Sequence, residues 1–263
     1  MTNRSFVFSA GGGRYIIRMP GEGTENLINR RQEAEVYQAI SGHGFCDEPV
    51  YLNPETGIKI TKYIEGARVC DSYSSSDLNR CMALLHKLHD MRLVVGHTFD
   101  LYGQISFYEE LWDGKESICS DYAETRNKVF SLRDYIEVQE KDMVLAHIDA
   151  VPDNFLICGA DMQLTDWEYA GMQDPHIDIA MFCVYCDYTR EDVDRLIDTY
   201  FEGRCDRATR VKVYCYIAAS GLLWSNWCEY KHQLGVKFGN YARRQYQYAK
   251  DYYRIAIQEM SKL

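Results

Sequence analysis

The chain is decided by two stretches, His147-Ile148-Asp149-Ala150-Val151-Pro152-Asp153-Asn154 and, shortly after, Leu164-Thr165-Asp166-Trp167-Glu168. The first spaces His, any residue, Asp, and then Asn five residues beyond that Asp. Short apolar runs at 143–146, 155–158 and 163–165 predict strands around these positions. Asp149 then falls in a loop between strands, Asn154 opens one strand, and Asp166 ends its hairpin partner. That places the three side chains in one cleft. Such a set suits phosphoryl transfer, which asks a protein mainly for positioning and charge neutralisation. One carboxylate takes the proton of an acceptor hydroxyl. Oxygen ligands hold Mg²⁺ against phosphates, because this hard cation prefers carboxylate, amide oxygen and water. Either segment alone also reads as ordinary loop polar residues. Both in order, joined by a hairpin-length insert, read as one chemical unit.

Working outward, residues 5–9 and 14–19 predict two strands turned at Ala10-Gly11-Gly12-Gly13. Residues 25–40 predict a helix with Thr24 as its N-cap. Residues 50–52 and 58–64 predict a second hairpin, turned at Asn53-Pro54-Glu55-Thr56-Gly57. A polar linker, 71–76, leads to a helix capped by Asp77, with Leu78, Cys81, Met82, Leu85 and Leu88 at helical spacing. Helices are predicted at 107–112 and 122–139, and throughout the chain after Asp174-Pro175. The fold class is α+β: a small antiparallel-sheet lobe at 1–66 and a large, mainly helical lobe at 67–263 with a few short strands.

Composition narrows the partners. Lys and Arg total 29 against 39 Asp and Glu, a net charge of −10 in 263 residues. An acidic chain gains nothing from the counterion release behind non-specific nucleic-acid binding. The longest apolar run, 213–224, is interrupted by Ser220 and Gly221. It falls short of the roughly 18 to 20 residues of a membrane span, and the polar start predicts no signal peptide. Ten scattered cysteines predict free thiols in a reducing cytoplasm.

The His-x-Asp, Asn and Asp skeleton resembles the choline kinase and aminoglycoside phosphotransferase superfamily, with Asp166-Trp167-Glu168 standing where protein kinases carry Asp-Phe-Gly. Further stretches support the choline kinase branch: Tyr15-Ile16-Ile17-Arg18-Met19-Pro20-Gly21, Gly57-Ile58-Lys59-Ile60-Thr61-Lys62-Tyr63-Ile64-Glu65-Gly66, and Asp166-Trp167-Glu168-Tyr169-Ala170-Gly171-Met172. The resemblance implies a protein-kinase-like two-lobe fold binding ATP and Mg²⁺. It implies Asp149 as catalytic base and Asn154 and Asp166 as metal ligands. Arg18 would stand where kinases place the phosphate-contacting lysine, paired with Glu33, and Lys62, Tyr63 and Ile64 would form the hinge that meets adenine. His147 and Asp178 are expected to brace the catalytic loop. In the family a Gly-Gly-x-Thr-Asn stretch covers the ATP phosphates. Met1-Thr2-Asn3-Arg4-Ser5-Phe6 resembles only its end, so Asn3 and Ser5 are nucleotide-side candidates and the lobe is expected to lack its first strand.

The acceptor is read from aromatics. A quaternary ammonium donates no N–H hydrogen bond and is recognised by aromatic faces, at roughly 0.5 to 2 kcal/mol per contact. Trp224 and Trp227 sit at i, i+3 on one helical face, followed by Phe238 and Tyr241. Family members line a choline pocket with such a set, and Tyr169 and Glu168 are further candidates. Core packing is the alternative for these aromatics. Choline is the expected acceptor; ethanolamine, thiamine or an aminoglycoside, or a silent choline binder without the phosphate lid, are the alternatives. Gly21-Glu22-Gly23 reads as a connector rather than a phosphate loop, Cys183-Val184-Tyr185-Cys186 as core thiols rather than a zinc site, and His86 and His89 as packing or surface residues. The late basic residues Lys237, Arg243, Arg244, Lys250 and Arg254 read as a solvated helix face.

Overall fold

The computed structural model describes residues 3–21, 24 and 27–263. The chain divides into two units, Met1–Thr98 with Val144–Met172, and Phe99–Met143 with Gln173–Leu263. In the first unit β1 (Asn3–Ala10) and β2 (Gly13–Pro20) form the expected hairpin, paired from Asn3 opposite Pro20 to Ala10 opposite Gly13. Gly11 and Gly12 turn it at φ of 56° and 82°, left-handed values that glycine adopts without steric cost. The second hairpin, β3 (Pro49–Leu52) and β4 (Lys59–Lys62), docks through β4 on β2 and gives the order β1-β2-β4-β3. This register sets Arg18 opposite Lys59, both buried.

The helix expected over 25–40 is α1 (Arg30–Ile40), shorter at its start. Asn29, not Thr24, caps it, its side chain accepting the N–H groups of Arg31 and Gln32. Thr24 closes a preceding turn instead, its hydroxyl donating to the Gly21 carbonyl. The expected start at Glu25, and Glu22 and Gly23 of the discounted glycine motif, lie outside the described residues, as do Met1 and Thr2. A two-residue strand that the sequence reading missed, β5 (Arg68–Val69), leads into α2 (Ser75–Asp90). Ser74 caps α2 in place of the expected Asp77. Asp77, one turn in, uses both carboxylate oxygens on the Arg68 guanidinium, a stronger bid for its charge than a capping bond.

β6 (Val144–Ala146), a 3₁₀ turn at Pro152–Asn154, β7 (Phe155–Cys158), β8 (Asp161–Leu164) and β9 (Gly171–Gln173) complete the strands. β5, β7 and β8 form one small sheet, and β6 pairs with β9. Phe45, Phe155 and Trp167 are fully enclosed in this unit.

The second unit is helical: α3 (Leu101–Glu110), α4 (Tyr122–Val138), α5 (His176–Tyr185), α6 (Arg190–Tyr200), α7 (Arg207–Gln233) and α8 (Tyr241–Met260). α3 starts before the expected residue 107, because Asp100 caps it through the Gly103 N–H. α7 is buried from Val211 to Lys231 and packs on α3, α4, α5 and α8, which is why it is apolar nearly all round. All ten cysteines are free. Among the described residues no helix is long and apolar enough to cross a membrane.

Candidate active site

The first unit assembles the His147–Asn154 loop from both ends. β6 leads directly into His147, which is wholly buried. Its Nε2 lies 2.9 Å from the Thr165 carbonyl oxygen, so the proton sits on Nε2 and donates to it. The ring stands edge-on to Trp167 at 4.5 Å. Trp167 in turn donates its indole N–H to the Leu164 carbonyl and packs against Phe45. The Trp of the Asp-Trp-Glu run is therefore a core anchor that holds its charged neighbours in place.

Asn154 is the last residue of the 3₁₀ turn rather than the first of a strand, and Asp166 lies two residues beyond β8. The Asn154 amide donates to both the backbone oxygen and the Oδ2 of Asp149, at 2.8 and 3.2 Å. Thr165 donates its N–H to the Asn154 carbonyl, so the segments bearing Asp149, Asn154 and Asp166 are locked to one another. Ile148 and Asp166 have φ of 69° and 66°. A β-branched residue at positive φ is a genuine outlier, and each such position costs of order 1–3 kcal/mol. These two positions are the neighbour of Asp149 and Asp166 itself.

Around Asp166 lies a buried ion cluster. Arg18 of β2 bonds Glu33 of α1 at 2.6 and 2.8 Å and reaches Asp166 Oδ1 at 3.1 Å. Burial opposes the Arg18 charge, but Glu33, Asp166 and Glu168 outweigh it and push its pKa further up, so it stays a cation. Glu168 is held by Arg30 at 2.8 Å and by the Asn3 amide at 2.9 Å. Burial, then the Asp166 charge, pushes the Glu168 carboxyl up to about 7 against the pull of Arg18 and Arg30. Glu168 is thus committed to the cluster, together with Asn3, while Ser5 on β1 is exposed. Arg30 was not singled out from the sequence; its place at i−3 from Glu33 was the available signal. Beside the cluster a second buried pair went unforeseen. Lys59 donates to Asp47 at 2.6 Å and to the Tyr37 hydroxyl.

Lys62 ends β4 exposed, and Tyr63 and Ile64 follow half-buried. The Tyr63 N–H is taken by the Arg14 carbonyl, and the Arg14 guanidinium stacks 4.1 Å from its ring. Tyr169 is half-buried in the first unit. His97, also unforeseen, reaches the Ala170 carbonyl at 2.8 Å and Glu35 at 3.2 Å, tying the end of the Asp-Trp-Glu-Tyr run to α1.

The second unit gathers the aromatics. Trp224 and Trp227 on α7 stand edge to face at 5.9 Å. Phe238 lies 5.2 Å from Trp227, and Tyr241 6.5 Å from Phe238. Tyr185, at the end of α5, adds a fifth ring 6.2 Å from Tyr241. The sequence reading does not single out this tyrosine. Phe238, Tyr241 and Tyr185 keep partial exposure, and the buried Trp227 indole N–H has no hydrogen-bond partner among the described residues. Lys231 sets its ammonium 6.0 Å from the Trp227 ring, at the limit of cation–π reach. Asp178, in the first turn of α5, is fully buried.

The donors near Asp166 fit a hard cation. Asp166 spends only Oδ1 on Arg18, and Asn154 spends only its amide N–H₂ on Asp149. Among the described residues Asp166 Oδ2 and Asn154 Oδ1 are left as uncommitted oxygens, with the Asp166 side chain 34% exposed. Mg²⁺ usually takes one or two such protein oxygens and fills its shell with phosphate and water.

The family model for choline/ethanolamine kinase matches residues 1–199. The chain belongs to the choline/ethanolamine kinase family. It is a phosphotransferase with the family's protein-kinase-like α+β fold. Protein LicA of Haemophilus influenzae is 27% identical over 264 residues, covering 92% of this chain and 74% of that protein. A crystal structure of choline kinase LicA from Streptococcus pneumoniae has a TM-score of 0.82 at 27% identity, over 98% of this chain and 90% of that one. A LicA structure in complex with AMP has a TM-score of 0.84 at 29% identity, over 97% of this chain and 89% of that one. A thermostable aminoglycoside phosphotransferase shares the fold alone, with a TM-score of 0.70 at 14% identity, over 96% of this chain and 91% of that one. Choline/ethanolamine kinase membership implies a small-molecule acceptor and a bound nucleotide.

Proposed function

We propose that this chain transfers the γ-phosphoryl group of ATP to the hydroxyl of choline, yielding phosphocholine and ADP. The observation that carries the choice of acceptor is the run of aromatic rings Trp224, Trp227, Phe238, Tyr241 and Tyr185. Aromatic faces suit one compact alkylated cation, whereas an aminoglycoside with several ammonium groups calls for a lining of carboxylates.

In this reading Asp149 orients the choline hydroxyl and receives its proton as the oxygen attacks the γ-phosphorus. The new O–P bond forms as the bond to the β-phosphate bridging oxygen breaks, and ADP carries that electron pair away. The Asn154 amide on Asp149 Oδ2 keeps that carboxylate aimed. Arg18, held by Glu33, neutralises phosphate charge, and residues 62–64 meet the adenine with their backbone. Residues 1–66 then supply most nucleotide contacts, and 67–263 the acceptor and the proton-accepting carboxylate. Asp166 and Asn154 would hold Mg²⁺, which screens phosphate charge when bound. His147 braces the loop through the Thr165 carbonyl. Ten free thiols favour the cytoplasm as the working compartment.

The test is ADP formation from Mg-ATP with choline, ethanolamine, thiamine and kanamycin offered separately. Choline-dependent turnover is expected, falling about 10²–10⁴-fold in Asp149→Asn through loss of the general base. Trp227→Ala is expected to raise the KM for choline by about 5- to 30-fold, the worth of one or two cation–π contacts. Turnover with another acceptor and none with choline would overturn the choice of substrate.

A further inference from the structure

Arg30 is in none of the roles above, yet it is the residue on which the ion cluster turns. It is the first residue of α1, and its guanidinium joins three separate segments. Nη1 donates to Glu33 Oε2 at 2.9 Å and to Glu168 Oε2 at 2.8 Å, and Nη2 donates to Asn3 Oδ1 at 3.1 Å. Only 10% of its side chain is exposed. The fold leaves room for it. A Cβ at Gly57 would stand 2.6 Å from Arg30 Nε and 2.8 Å from its Cδ, and Gly57 sits at φ +68°. A glycine is therefore required there both by conformation and by the approach of the Arg30 stem.

The cluster contains two guanidiniums, Arg18 and Arg30, and three carboxylates, Glu33, Asp166 and Glu168. Arg18 Nη1 is 3.7 Å from Glu168 but 2.6 Å from Glu33 and 3.1 Å from Asp166. Arg30 holds Glu168 at the shorter distance and so removes it from competition for Arg18. Without Arg30 one cation would face three carboxylates in a buried site, where charge imbalance is costly. Arg18 would then swing from Asp166 toward Glu168.

We propose that Arg30 is a positioning residue for nucleotide binding: by engaging Glu168 it keeps Arg18 on Glu33 and Asp166, where it can meet the phosphates. This rests on the nucleotide roles given above for Arg18 and Asp166. It makes the Arg30–Glu168 pair, rather than Arg30 by itself, the unit that matters.

The experiment compares wild type, Arg30→Met, Glu168→Gln and the double variant by calorimetric titration with Mg-ADP. Choline affinity is followed separately by intrinsic tryptophan fluorescence. Arg30→Met is expected to weaken Mg-ADP binding about 10- to 100-fold, the usual cost of losing a residue that orients a ligand-binding group, with choline affinity unchanged. The double variant is expected to bind Mg-ADP within about twofold of Glu168→Gln alone, since removing the competing charge removes the need for Arg30. A merely structural role would lower the folded fraction and leave both affinities of the folded protein alone. Wild-type Mg-ADP affinity in Arg30→Met, or a defect that Glu168→Gln does not relieve, overturns the proposal. If Arg30→Met does not fold by circular dichroism, Arg30→Gln is read in its place. A glutamine amide carries no charge to hold Glu168 away from Arg18, so wild-type affinity in Arg30→Gln is equally fatal. Absence of Mg-ADP binding by wild type would instead refute the nucleotide reading of the site.

Discussion

Gly221 gives the sharpest stability prediction, because two physical effects oppose each other there. It lies in the middle of α7, where replacing glycine by alanine in a helix gains about 0.8–1 kcal/mol from backbone propensity. A Cβ at that position would stand 2.7 Å from the Gln245 carbonyl oxygen, 2.8 Å from the Ala249 nitrogen and 3.0 Å from Tyr248 Cβ. The nearest two are backbone atoms of α8, so no rotamer change relieves the clash and the helices must separate. Overpacking of this kind costs about 1–3 kcal/mol. With two backbone atoms closer than 3.0 Å the cost falls in the upper part of that range, so the steric term wins and Gly221→Ala is expected to destabilise the chain by about 1–2 kcal/mol, lowering Tm by about 3–6 °C. Gly103→Ala is the internal comparison. Its Cβ would stand 2.5 Å from Oδ2 of Asp100, the carboxylate that caps α3, so displacing a cap worth about 1 kcal/mol offsets the same propensity gain, and the net change is expected to stay within about 0.5 kcal/mol. Urea unfolding followed by tryptophan fluorescence reads the second unit well, since Trp112, Trp224 and Trp227 all lie in it. A Gly221→Ala protein as stable as wild type, or more so, would show that α7 and α8 are not in the close contact described.

Lys212→Met should be strongly destabilising. Lys212 and Asp174 form a buried pair at 2.7 Å, with side-chain exposures of 4% and 0%, and an orphaned buried charge costs about 3–5 kcal/mol. Adding Asp174→Asn should recover much of that loss in urea unfolding, and a Lys212→Met protein within about 1 kcal/mol of wild type would refute the assignment. Acid behaviour is predicted at Asp77, where Arg68 and the Asp71 N–H hold the carboxyl down to about 2 against an ordinary 3.8, despite its burial. A carboxyl with a lowered folded-state pKa contributes stability above its unfolded value and loses it as pH falls toward the folded one. Asp77→Asn should therefore melt below wild type at pH 6, with the gap narrowing at pH 4 and again at pH 3; a gap constant over that range would contradict it.

Much of this protein was legible in one dimension, where chemistry depends on local spacing. The hairpin around Gly11 and Gly12 follows from glycines at positive φ between alternating runs. The His147–Asn154 and Asp166–Glu168 segments follow from residue types that phosphoryl transfer needs within a short span, and the Trp224/Trp227 pair from helical period. Cap residues were misplaced at α1 and α2 because several polar residues near each start offered comparable capping oxygens. At α2 the choice between Ser74 and Asp77 was settled by Arg68, which arrives from a strand too short to show any periodicity. Likewise no pattern in the sequence reports that Arg30 takes Glu168 and leaves Arg18 to Asp166, or that Tyr185 joins Phe238 and Tyr241. Those partners are separated by 138 residues in one case and by more than 50 in the other. Local sequence determined which side chains were available to the reaction. Only tertiary packing decided which charge neutralises which, because a buried ion chooses among all the partners that the fold brings within a few ångströms.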